Sequence, residues 1–371
     1  MLVYAHINTV PHGSTGRIMM AEHGRLLADG EESYAFWGRG RDAASDNEMR
    51  FSNDLGIAFD VIATRLDGKS GFHSVAATRR LLTRLDQIDP DVVHLHNLHG
   101  YYLNIRMLFE WLHRHHCKVE WTLHDCWAFT GHCAYFSFAR CDQWESGCAC
   151  SGDCPQLAAY PKTIAGSAAC AWCFKQKKAI FNMLAPDRMK LITPSHWLSE
   201  LVSRSFLFRY PVQVIPNSVD TSIFKPTESS IRDTLGVGNR YMILGVASPW
   251  SERKGLSDFF TLADRIDPAL AVIVLVGVSR KQRESLLPHM IGLSKTDSQV
   301  ELAELYSAAD VFFNPTYEDN YPTVNLEAEA CGTPVITYDT GGSPETISLG
   351  ASCVVANVEE AIDLLGRLCL R

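Results

Sequence analysis

Short apolar runs alternate with longer amphipathic segments along most of this chain, and this alternation restricts the fold more than any other feature. In the first half, apolar runs lie at 2–7, 92–95, 120–123, 189–193 and 212–215, and helical periodicity lies at 17–28, 75–88 and, after a cap at Ser195, up to 202. Strands of a parallel sheet are buried on both faces and joined by crossover helices, which produces this pattern. We therefore predict an α/β fold.

The alternation begins again in the second half of the chain. Near-continuous apolar runs lie at 241–247, 271–276, 311–313 and 334–337, and a final helical pattern covers 359–368. The 371 residues exceed what a single hydrophobic core usually spans. The segment Lys225–Ser230 is polar and weakly patterned, as linkers are. We predict two domains, of residues 1–224 and 225–371, each with a parallel sheet.

Composition excludes several classes of protein. Hydrophobic residues make up 46% of the chain and charged residues 20%, which is typical of a folded globular protein. The net charge of −8 argues against nucleic acid as a partner. The apolar run 271–276 is far shorter than the roughly 20 residues of a membrane-spanning helix. The first residues lack the basic start of a secretory signal, so we predict a cytoplasmic protein.

Cysteines are concentrated in one segment. Eight of the twelve fall between residues 126 and 173, a segment with neither strand nor helix periodicity. We predict an irregular insertion there, held by something other than a hydrophobic core. In a reducing compartment such a cluster more often indicates metal or redox chemistry than disulfides. A structural zinc ion and buried free thiols or adventitious disulfides remain alternatives. The candidate zinc ligands are Cys133, Cys141, Cys148 and Cys154.

Glycines, imidazoles and a carboxylate follow the strands of the first half. Doubly wound sheets bind ligands at the carboxyl ends of their strands, so these positions are informative. The glycines of Gly13–Gly16 permit close approach of an anion to helix-start amides, with a plain strand–helix turn as the alternative. Segments 94–101 and 122–125 place several histidines and Asp125 at two more strand ends. Several such groups meeting in one crevice favour a site over isolated structural histidines.

Cations and carboxylates follow the strands of the second half. Arg253 and Lys254 open a helix after a strand, where two cations suit a diphosphate, with a solvated charged turn as the alternative. Segment 317–335 combines acidic residues, a loop, a helix start and a glycine–proline stop. Backbone amides at that helix start can bind phosphate, and Asp319 and Glu327 can accept hydrogen bonds from sugar or ribose hydroxyls.

Segment Asp319–Val335, followed by Gly341–Glu345, resembles the donor-binding signature of the retaining glycosyltransferases of family 4. Lys254 falls where that family keeps its diphosphate-binding lysine, segment 215–220 resembles its interdomain element, and Gly13–Gly16 matches its N-terminal glycine loop. The resemblance covers nearly the whole chain except the cysteine-rich segment. It implies the GT-B fold, in which two Rossmann-like domains face each other across a cleft.

The chain departs from the family pattern at three points. The family signature usually has two glutamates, whereas here the first acid is Asp319, or Glu318 if the loop is shifted by one residue. The usual arginine before the lysine would fall near Ser248, so Arg253 is the candidate substitute. Ser218 replaces the usual glycine of the interdomain element. These departures concern the donor contacts rather than the fold.

The resemblance implies transfer of a sugar, with retained configuration, from a UDP- or GDP-sugar to a hydroxyl of a glycan or lipid-linked acceptor. The setting it implies is bacterial exopolysaccharide or lipopolysaccharide synthesis, with no cofactor or metal in catalysis. The N-terminal domain would bind the acceptor and the C-terminal domain the nucleotide sugar. Cations and helix amides would stabilise the diphosphate leaving group, and His124 would position a hydroxyl. The implied residues are His124, Asp319, Arg253 and Lys254 for catalysis; Gly16, Ser248, Tyr321, Pro322, Thr323, Val324, Asn325 and Glu327 for the donor; and His96, Asn97 and Asp125 for the acceptor.

Other functions remain as alternatives. A GT-B sugar-nucleotide epimerase or a phosphorylase-like transferase would use a similar domain pair, and the altered acidic pair allows a catalytically degenerate sugar-nucleotide-binding subunit. A zinc-dependent regulator rests on the cysteines alone. Segment Lys175–Phe181 sets cations beside apolar residues, which suits either a peripheral contact with the inner membrane or a solvated helix face.

Overall fold

The computed structural model describes residues 1–150 and 152–369, and the chain divides into two compact units, residues 1–216 and the unit that begins at Asn217. Each unit contains one parallel β-sheet with helices in the crossovers. Both sheets arise where the sequence alternates between apolar runs and amphipathic segments. The predicted α/β class, with a parallel sheet in each domain, is confirmed.

The first unit contains seven strands and seven α-helices among its described residues. The strands are β1 Val3–Asn8, β2 Glu32–Trp37, β3 Glu48–Arg50, β4 Val92–Leu95, β5 Lys118–Thr122, β6 Met189–Thr193 and β7 Val212–Val214. The helices are α1 Gly13–Ala28, α2 Asp54–Asp67, α3 Val75–Ile88, α4 Ile105–Arg114, α5 Gln143–Ser146, α6 Ser167–Phe181 and α7 His196–Arg204. Ser195 caps α7 as predicted, because its hydroxyl accepts the Leu198 N–H at 3.1 Å.

The first sheet has the order β3-β2-β1-β4-β5-β6-β7, so the chain reverses its direction of progress between β1 and β4. Loops diverge at such a switch point and leave a crevice at the carboxyl ends of the two strands. The residues after β1 and β4 are therefore the ones that the fold places at a binding position. In the register of this pair, His6 lies beside His94.

Helix α1 begins at Gly13, before the helical pattern that starts at residue 17, so Gly13–Gly16 form the first turn of the helix instead of a separate strand–helix turn. His12 has an extended backbone and precedes the helix directly. Gly16 lies so close to the preceding loop that a Cβ atom there would be 2.6 Å from the Pro11 carbonyl carbon. The glycine at this position thus allows the first helical turn to pack on the loop after β1.

The cysteine-rich segment is less irregular than predicted and joins the main core. Helix α6 already starts at Ser167, inside the segment expected to be irregular. Trp127, Phe129 and Trp144 are at most 2% exposed and belong to the core cluster of the first unit. The expectation that something other than a hydrophobic core holds this segment is therefore wrong. Its large aromatic side chains bury apolar surface against the main core.

Lys177 lies in the interior of the first unit, so neither surface interpretation of segment 175–181 holds along its whole length. Its side chain is fully buried, and its ammonium donates to the backbone oxygens of Trp127 at 2.8 Å and Thr130 at 3.1 Å. The same ammonium lies 3.3 Å from the centroid of the Trp127 ring. Lys177 therefore satisfies carbonyl groups of the cysteine-rich segment instead of facing a membrane or solvent.

The second unit contains six strands and six α-helices among its described residues. The strands are β8 Tyr241–Val246, β9 Ala271–Val276, β10 Met290–Leu293, β11 Val311–Asn314, β12 Val335–Tyr338 and β13 Cys353–Val355. The helices are α8 Ile231–Thr234, α9 Leu256–Ala263, α10 Arg280–Glu284, α11 Gln299–Ala308, α12 Thr323–Ala330 and α13 Val358–Cys369. The sheet order β10-β9-β8-β11-β12-β13 places its switch point between β8 and β11.

Strand β9 shows why the apolar runs of this half are nearly continuous. All six of its residues are buried, and they alternate between two hydrophobic clusters, one on each face of the sheet. A strand covered on both faces needs apolar side chains at every position. Within the described residues, no helix is both long enough and apolar enough to cross a membrane.

Candidate active site

The switch point of the second sheet brings together a lysine and a carboxylate from two strand ends. Lys254 ends the 3-10 turn Glu252–Lys254 after β8, and Asp319 lies in the loop after β11. The Lys254 ammonium is hydrogen-bonded to the Asp319 carboxylate, and the two side chains are 21% and 14% exposed. The sequence motifs that suggested a diphosphate site and a sugar-binding acid therefore meet at one place.

Arg253 also contacts the loop after β11. Its guanidinium donates to the Glu318 carbonyl oxygen, and its own carbonyl oxygen accepts the Tyr317 N–H at 2.8 Å. Burial opposes ionisation of Asp319, but the charges of Lys254 and Arg253 outweigh it and hold the pKa of this carboxyl below its ordinary value. Two cations and an ionised acid therefore line this strand end at neutral pH.

The loop that carries Asp319 is held in place from behind by the glycines after β12. Gly342 donates its N–H to the Asp319 carbonyl oxygen at 3.0 Å. Gly341 has φ +59°, and a Cβ atom there would lie 2.0 Å from the same oxygen. Only glycine fits this approach, because both the backbone conformation and the available space exclude a side chain. The Gly–Gly pair of the family signature thus sets the position of the acid.

Helix α12 begins at Thr323, directly after the loop. Asn325 in its first turn is fully buried, and its amide donates to Thr346 Oγ1 at 2.8 Å and to Ser343 Oγ at 3.3 Å. Glu327 is 2% exposed, and its carboxylate accepts the Tyr306 hydroxyl at 3.2 Å. The first-turn amides of α12 have the partial positive charge that suits a phosphate.

The remaining donor candidates of the second unit differ in exposure. Ser248 is exposed in the loop after β8, and Pro322 is buried next to the start of α12. The Tyr321 hydroxyl donates to the Glu345 carbonyl oxygen at 3.3 Å. Thr323 and Val324 are partly exposed in the first turn of α12. Glu318 is fully buried, whereas the Asp319 side chain reaches the surface.

In the first unit, the histidines after β4 and β5 contact each other. His96 Nδ1 lies 3.1 Å from His124 Nε2, and the two rings stack at 5.4 Å with 13° between their planes. His96 is buried and His124 is partly exposed. Burial lowers the pKa of His124 to about 4, so its ring is neutral at pH 7. A neutral imidazole can both donate and accept a hydrogen bond.

Asp125 pairs with His99 in the first unit. The two side chains are 2.7 Å apart, and Asp125 also accepts the Trp127 N–H at 2.9 Å. Burial opposes ionisation of Asp125, but the charge and hydrogen bond of His99 hold the pKa of this carboxyl below its ordinary value. Asn97, between the histidines of this edge, is partly exposed, and its carbonyl oxygen accepts the Tyr102 hydroxyl. Gly16 lies under the loop after β1 of the same sheet.

The four candidate zinc ligands line one small cavity of the first unit. Cys148 Sγ accepts the Gly131 N–H at 3.0 Å, and burial raises the pKa of the Cys148 thiol to about 12. A hydrogen bond from Cys170 lowers the pKa of Cys154 to about 7. These cysteines do not bring three sulfur atoms within 4.8 Å of one another. Among the described residues, the group whose metal-binding atoms lie that close together is His6, Glu22, His94 and His96.

Sequence reasoning missed two members of that histidine group. His6 is hidden within an apolar strand, and Glu22 lies on an ordinary amphipathic helix. The register of β1 against β4 sets His6 beside His94, and no local pattern in the sequence gives that register. The spacing of His94 and His96 was the one sequence signal for this group, because alternate residues of a strand share one face.

Two family models cover most of the chain. The model described as Glycosyltransferase Family 4 matches residues 25–223, and the model described as Glycosyl transferases group 1 matches residues 229–368. A putative colanic acid biosynthesis glycosyl transferase, WcaC of Escherichia coli K12, is 23% identical over 95% of this chain and 86% of its own length.

Solved structures align with the whole chain. The alignment with sucrose-phosphate synthase from Thermosynechococcus elongatus covers 100% of this chain and 90% of that protein, at a TM-score of 0.69 and 14% identity. Anabaena HepE, solved in complex with UDP-glucose, covers the same shares at a TM-score of 0.65 and 14% identity. At these identities the likeness establishes the fold and leaves the substrates to other arguments.

Proposed function

Because the chain belongs to glycosyltransferase family 4 and has two parallel-sheet α/β domains of the GT-B type, we propose that it is a retaining, metal-independent transferase. It moves a sugar from a UDP- or GDP-sugar to a hydroxyl of a glycan or lipid-linked acceptor. The observation that carries this proposal is the meeting of Lys254, Arg253 and Asp319 at the switch point of the second sheet.

The donor side of the proposal uses the residues of the second unit. Lys254 and Arg253 neutralise the diphosphate as the bond between its oxygen and the anomeric carbon breaks. The first-turn amides of α12 add partial positive charge on the same phosphates. Asp319, and not Glu318, binds hydroxyls of the donor sugar. The Asp319 side chain reaches the surface, whereas Glu318 is fully buried. Glu327 binds the ribose.

The chemical step needs no protein nucleophile. The acceptor hydroxyl forms its bond to the anomeric carbon on the face from which the diphosphate departs, so the configuration is retained. The hydroxyl proton passes to the leaving diphosphate oxygen, whose negative charge develops as the bond breaks. The two cations supply the charge that a metal ion supplies in other transferases, which is why we propose metal-independent transfer.

The acceptor side of the proposal uses the strand ends of the first unit. His124, neutral at pH 7, positions the reacting hydroxyl, and Asn97 and Asp125 bind other acceptor hydroxyls. His96 acts through its 3.1 Å contact with His124 and is therefore a positioning residue. The lowered pKa of Asp125 keeps this acid ionised, and an ionised carboxylate is a strong hydrogen-bond acceptor.

We place the reaction in bacterial surface-polysaccharide synthesis, at the cytoplasmic face of the membrane. WcaC, which is similar to most of the chain, carries a colanic acid biosynthesis name. Helix α2 supports a peripheral membrane contact better than segment 175–181. Four apolar side chains of α2 lie on one helical face and are 58–84% exposed, namely Leu55, Phe59, Ile62 and Leu66.

We also propose a structural zinc ion at Cys133, Cys141, Cys148 and Cys154. These four side chains line one cavity, and cysteine sulfurs are common zinc ligands. The four sulfurs must close around the ion, because they are not within 4.8 Å of one another as a group. X-ray absorption at the zinc edge of purified protein should show sulfur ligands at about 2.3 Å. Zinc without sulfur ligands, or no zinc, would reject this site.

The transferase proposal is tested by screening UDP- and GDP-sugars with glycan and lipid-linked acceptors. Lys254→Ala should lower transfer by about 100-fold or more, since loss of one stabilising group at a developing charge has that effect. Glu327→Ala should also abolish most of the transfer, because it removes the carboxylate that accepts hydrogen bonds from the ribose. Lys281→Ala, an exposed lysine on α10, is the matched control and should transfer normally. Product NMR should show the anomeric configuration of the donor, and omission of Mg²⁺ and Mn²⁺ should leave the rate unchanged.

Normal transfer by both Lys254→Ala and Glu327→Ala would reject the site assignment. Epimerisation or hydrolysis of the donor without any glycoside product would instead support the epimerase alternative. Tight nucleotide binding without turnover on any acceptor would indicate a catalytically degenerate binding subunit.

A further inference from the structure

A group of three histidines and one glutamate lies between the first sheet and helix α1. One donor atom from each of His6, Glu22, His94 and His96 lies within 4.8 Å of every other. His6, His94 and His96 are at most 3% exposed, while Glu22 is partly exposed. None of the four residues belongs to the donor site of the second unit.

The fold itself brings these side chains together. His6 on β1 is the register partner of His94 on β4, so the two lie side by side. His96 follows His94 by two positions and keeps to the same face of the sheet. The ring centroids are 5.4 Å apart for His6 and His94, and 4.3 Å apart for His94 and His96. Helix α1 crosses this face and supplies Glu22, whose carboxylate lies 3.1 Å from His94 Nδ1.

Several nitrogen atoms of the group lack a hydrogen-bond partner although they are buried. Both ring nitrogens of His6 and Nε2 of His96 are in this position, and both residues are at most 1% exposed. A buried polar atom without a hydrogen-bond partner destabilises the folded protein. These side chains belong to one small group, where a single bound ion can satisfy one ring nitrogen of His6 together with Nε2 of His96.

His94 and His96 each use one ring nitrogen for a contact outside the group, as metal-binding histidines do. His94 Nε2 lies 2.8 Å from Thr122 Oγ1, which leaves Nδ1 facing Glu22. His96 Nδ1 lies 3.1 Å from His124 Nε2, which leaves Nε2 for the group. Metal-binding histidines commonly use one nitrogen for the ion and the other for an orienting hydrogen bond.

We propose that His6, Glu22, His94 and His96 bind one divalent transition-metal ion, zinc in preference, in a closed structural site. Three imidazoles and a carboxylate complete four-coordination, whereas Mg²⁺ and Ca²⁺ prefer oxygen donors. Zinc–nitrogen bonds of about 2.0–2.1 Å place tetrahedral ligand atoms about 3.4 Å apart, so the group needs only a small contraction. The ion fixes the His96 ring and, through it, the orientation of His124.

The test uses the full-length protein, stripped with a chelator and titrated with Zn²⁺ alone in a Cys148→Ser/Cys154→Ser background. This background removes two ligands of the proposed thiol site, so that the remaining zinc reports the histidine group. We expect one zinc ion per chain with nitrogen and oxygen ligands by X-ray absorption. Glu22→Gln and His94→Gln should each weaken binding by more than about 100-fold, since even outer-shell partners are worth about 10–100-fold.

His23→Gln is the matched control. His23 is a buried histidine whose ring centroid lies 6.1 Å from that of His6, but its Nδ1 contacts Ser33 Oγ at 2.8 Å and it is not part of the group. The variant should bind zinc like the parent protein. Absence of zinc from the parent, zinc with sulfur ligands alone, or unchanged binding in Glu22→Gln and His94→Gln would overturn the proposal. Where a variant does not fold, the ligand types in the parent spectrum decide the question, independently of any transferase activity.

Discussion

Lys254 and Asp319 form an ion pair that joins the 3-10 turn after β8 to the loop after β11. The pair lies at the switch point of the second sheet, where Arg253 holds the same loop through the Glu318 carbonyl oxygen. A bound diphosphate would compete with Asp319 for the lysine. The acid therefore has two roles to separate, one toward the sugar and one toward the cation that binds the phosphates.

Asp319→Asn separates these roles. We expect transfer to fall by about tenfold or more, because a neutral amide binds sugar hydroxyls more weakly than a carboxylate does. Binding of the free nucleoside diphosphate should be unchanged or tighter, since Lys254 loses its competing anion. Calorimetry with the diphosphate and with the intact donor measures both effects. Asp264→Asn, an exposed acid just after α9, should change neither. Equal loss of both affinities would contradict the assignment of Asp319 to the sugar.

Gly341→Ala should displace the loop that carries Asp319 and so weaken the donor site. A Cβ atom at this position would lie 2.0 Å from the Asp319 carbonyl oxygen, and the residue has a positive φ. We expect a loss of about 1–3 kcal/mol in the free energy of unfolding and loss of donor binding. Gly366→Ala on α13, with nothing within 4 Å of its Cβ position, should instead raise stability by up to about 1 kcal/mol. Denaturant unfolding and donor titration check both variants; normal donor affinity in Gly341→Ala would count against this support.

Lys177→Met should destabilise the first unit by about 2–3 kcal/mol. The substitution keeps the apolar volume but leaves the Trp127 and Thr130 carbonyl oxygens without their charged donor. Lys178→Met, at the next and exposed position of α6, should change the free energy of unfolding by less than about 0.5 kcal/mol. Urea unfolding followed by tryptophan fluorescence measures the difference. Equal stability of the two variants would show that the buried ammonium contributes nothing net.

The exposed face of α2 should carry any membrane contact. We expect Phe59→Ser/Ile62→Ser to lower binding to vesicles containing an anionic phospholipid by about tenfold or more, since each large apolar side chain contributes about 1.5–3 kcal/mol when buried. Phe208→Ser removes a phenylalanine that is 70% exposed elsewhere in the same unit and is the control. Flotation assays measure the bound fraction. Equal binding by both variants, or none by the parent, would reject this surface.

Regular elements could be predicted where a single local pattern decides them. The strands 92–95, 189–193 and 271–276 and the helix 75–88 have the predicted bounds. The strands 48–50 and 353–355 were missed because they are short and only partly buried, so they lack a continuous apolar run. The cysteine-rich segment was misjudged because its aromatic side chains contact the core at positions that follow no period.

The sequence by itself determined the family, the two parallel sheets and the strand ends that carry polar groups, because burial period and motif spacing are local properties. Tertiary structure alone decided which of those groups meet. The register of β1 against β4 sets His6 beside His94, the packing of α1 adds Glu22, and the fold buries Lys177 beneath Trp127. Distances between residues far apart in the chain depend on strand order and helix packing, and no short window of sequence contains either.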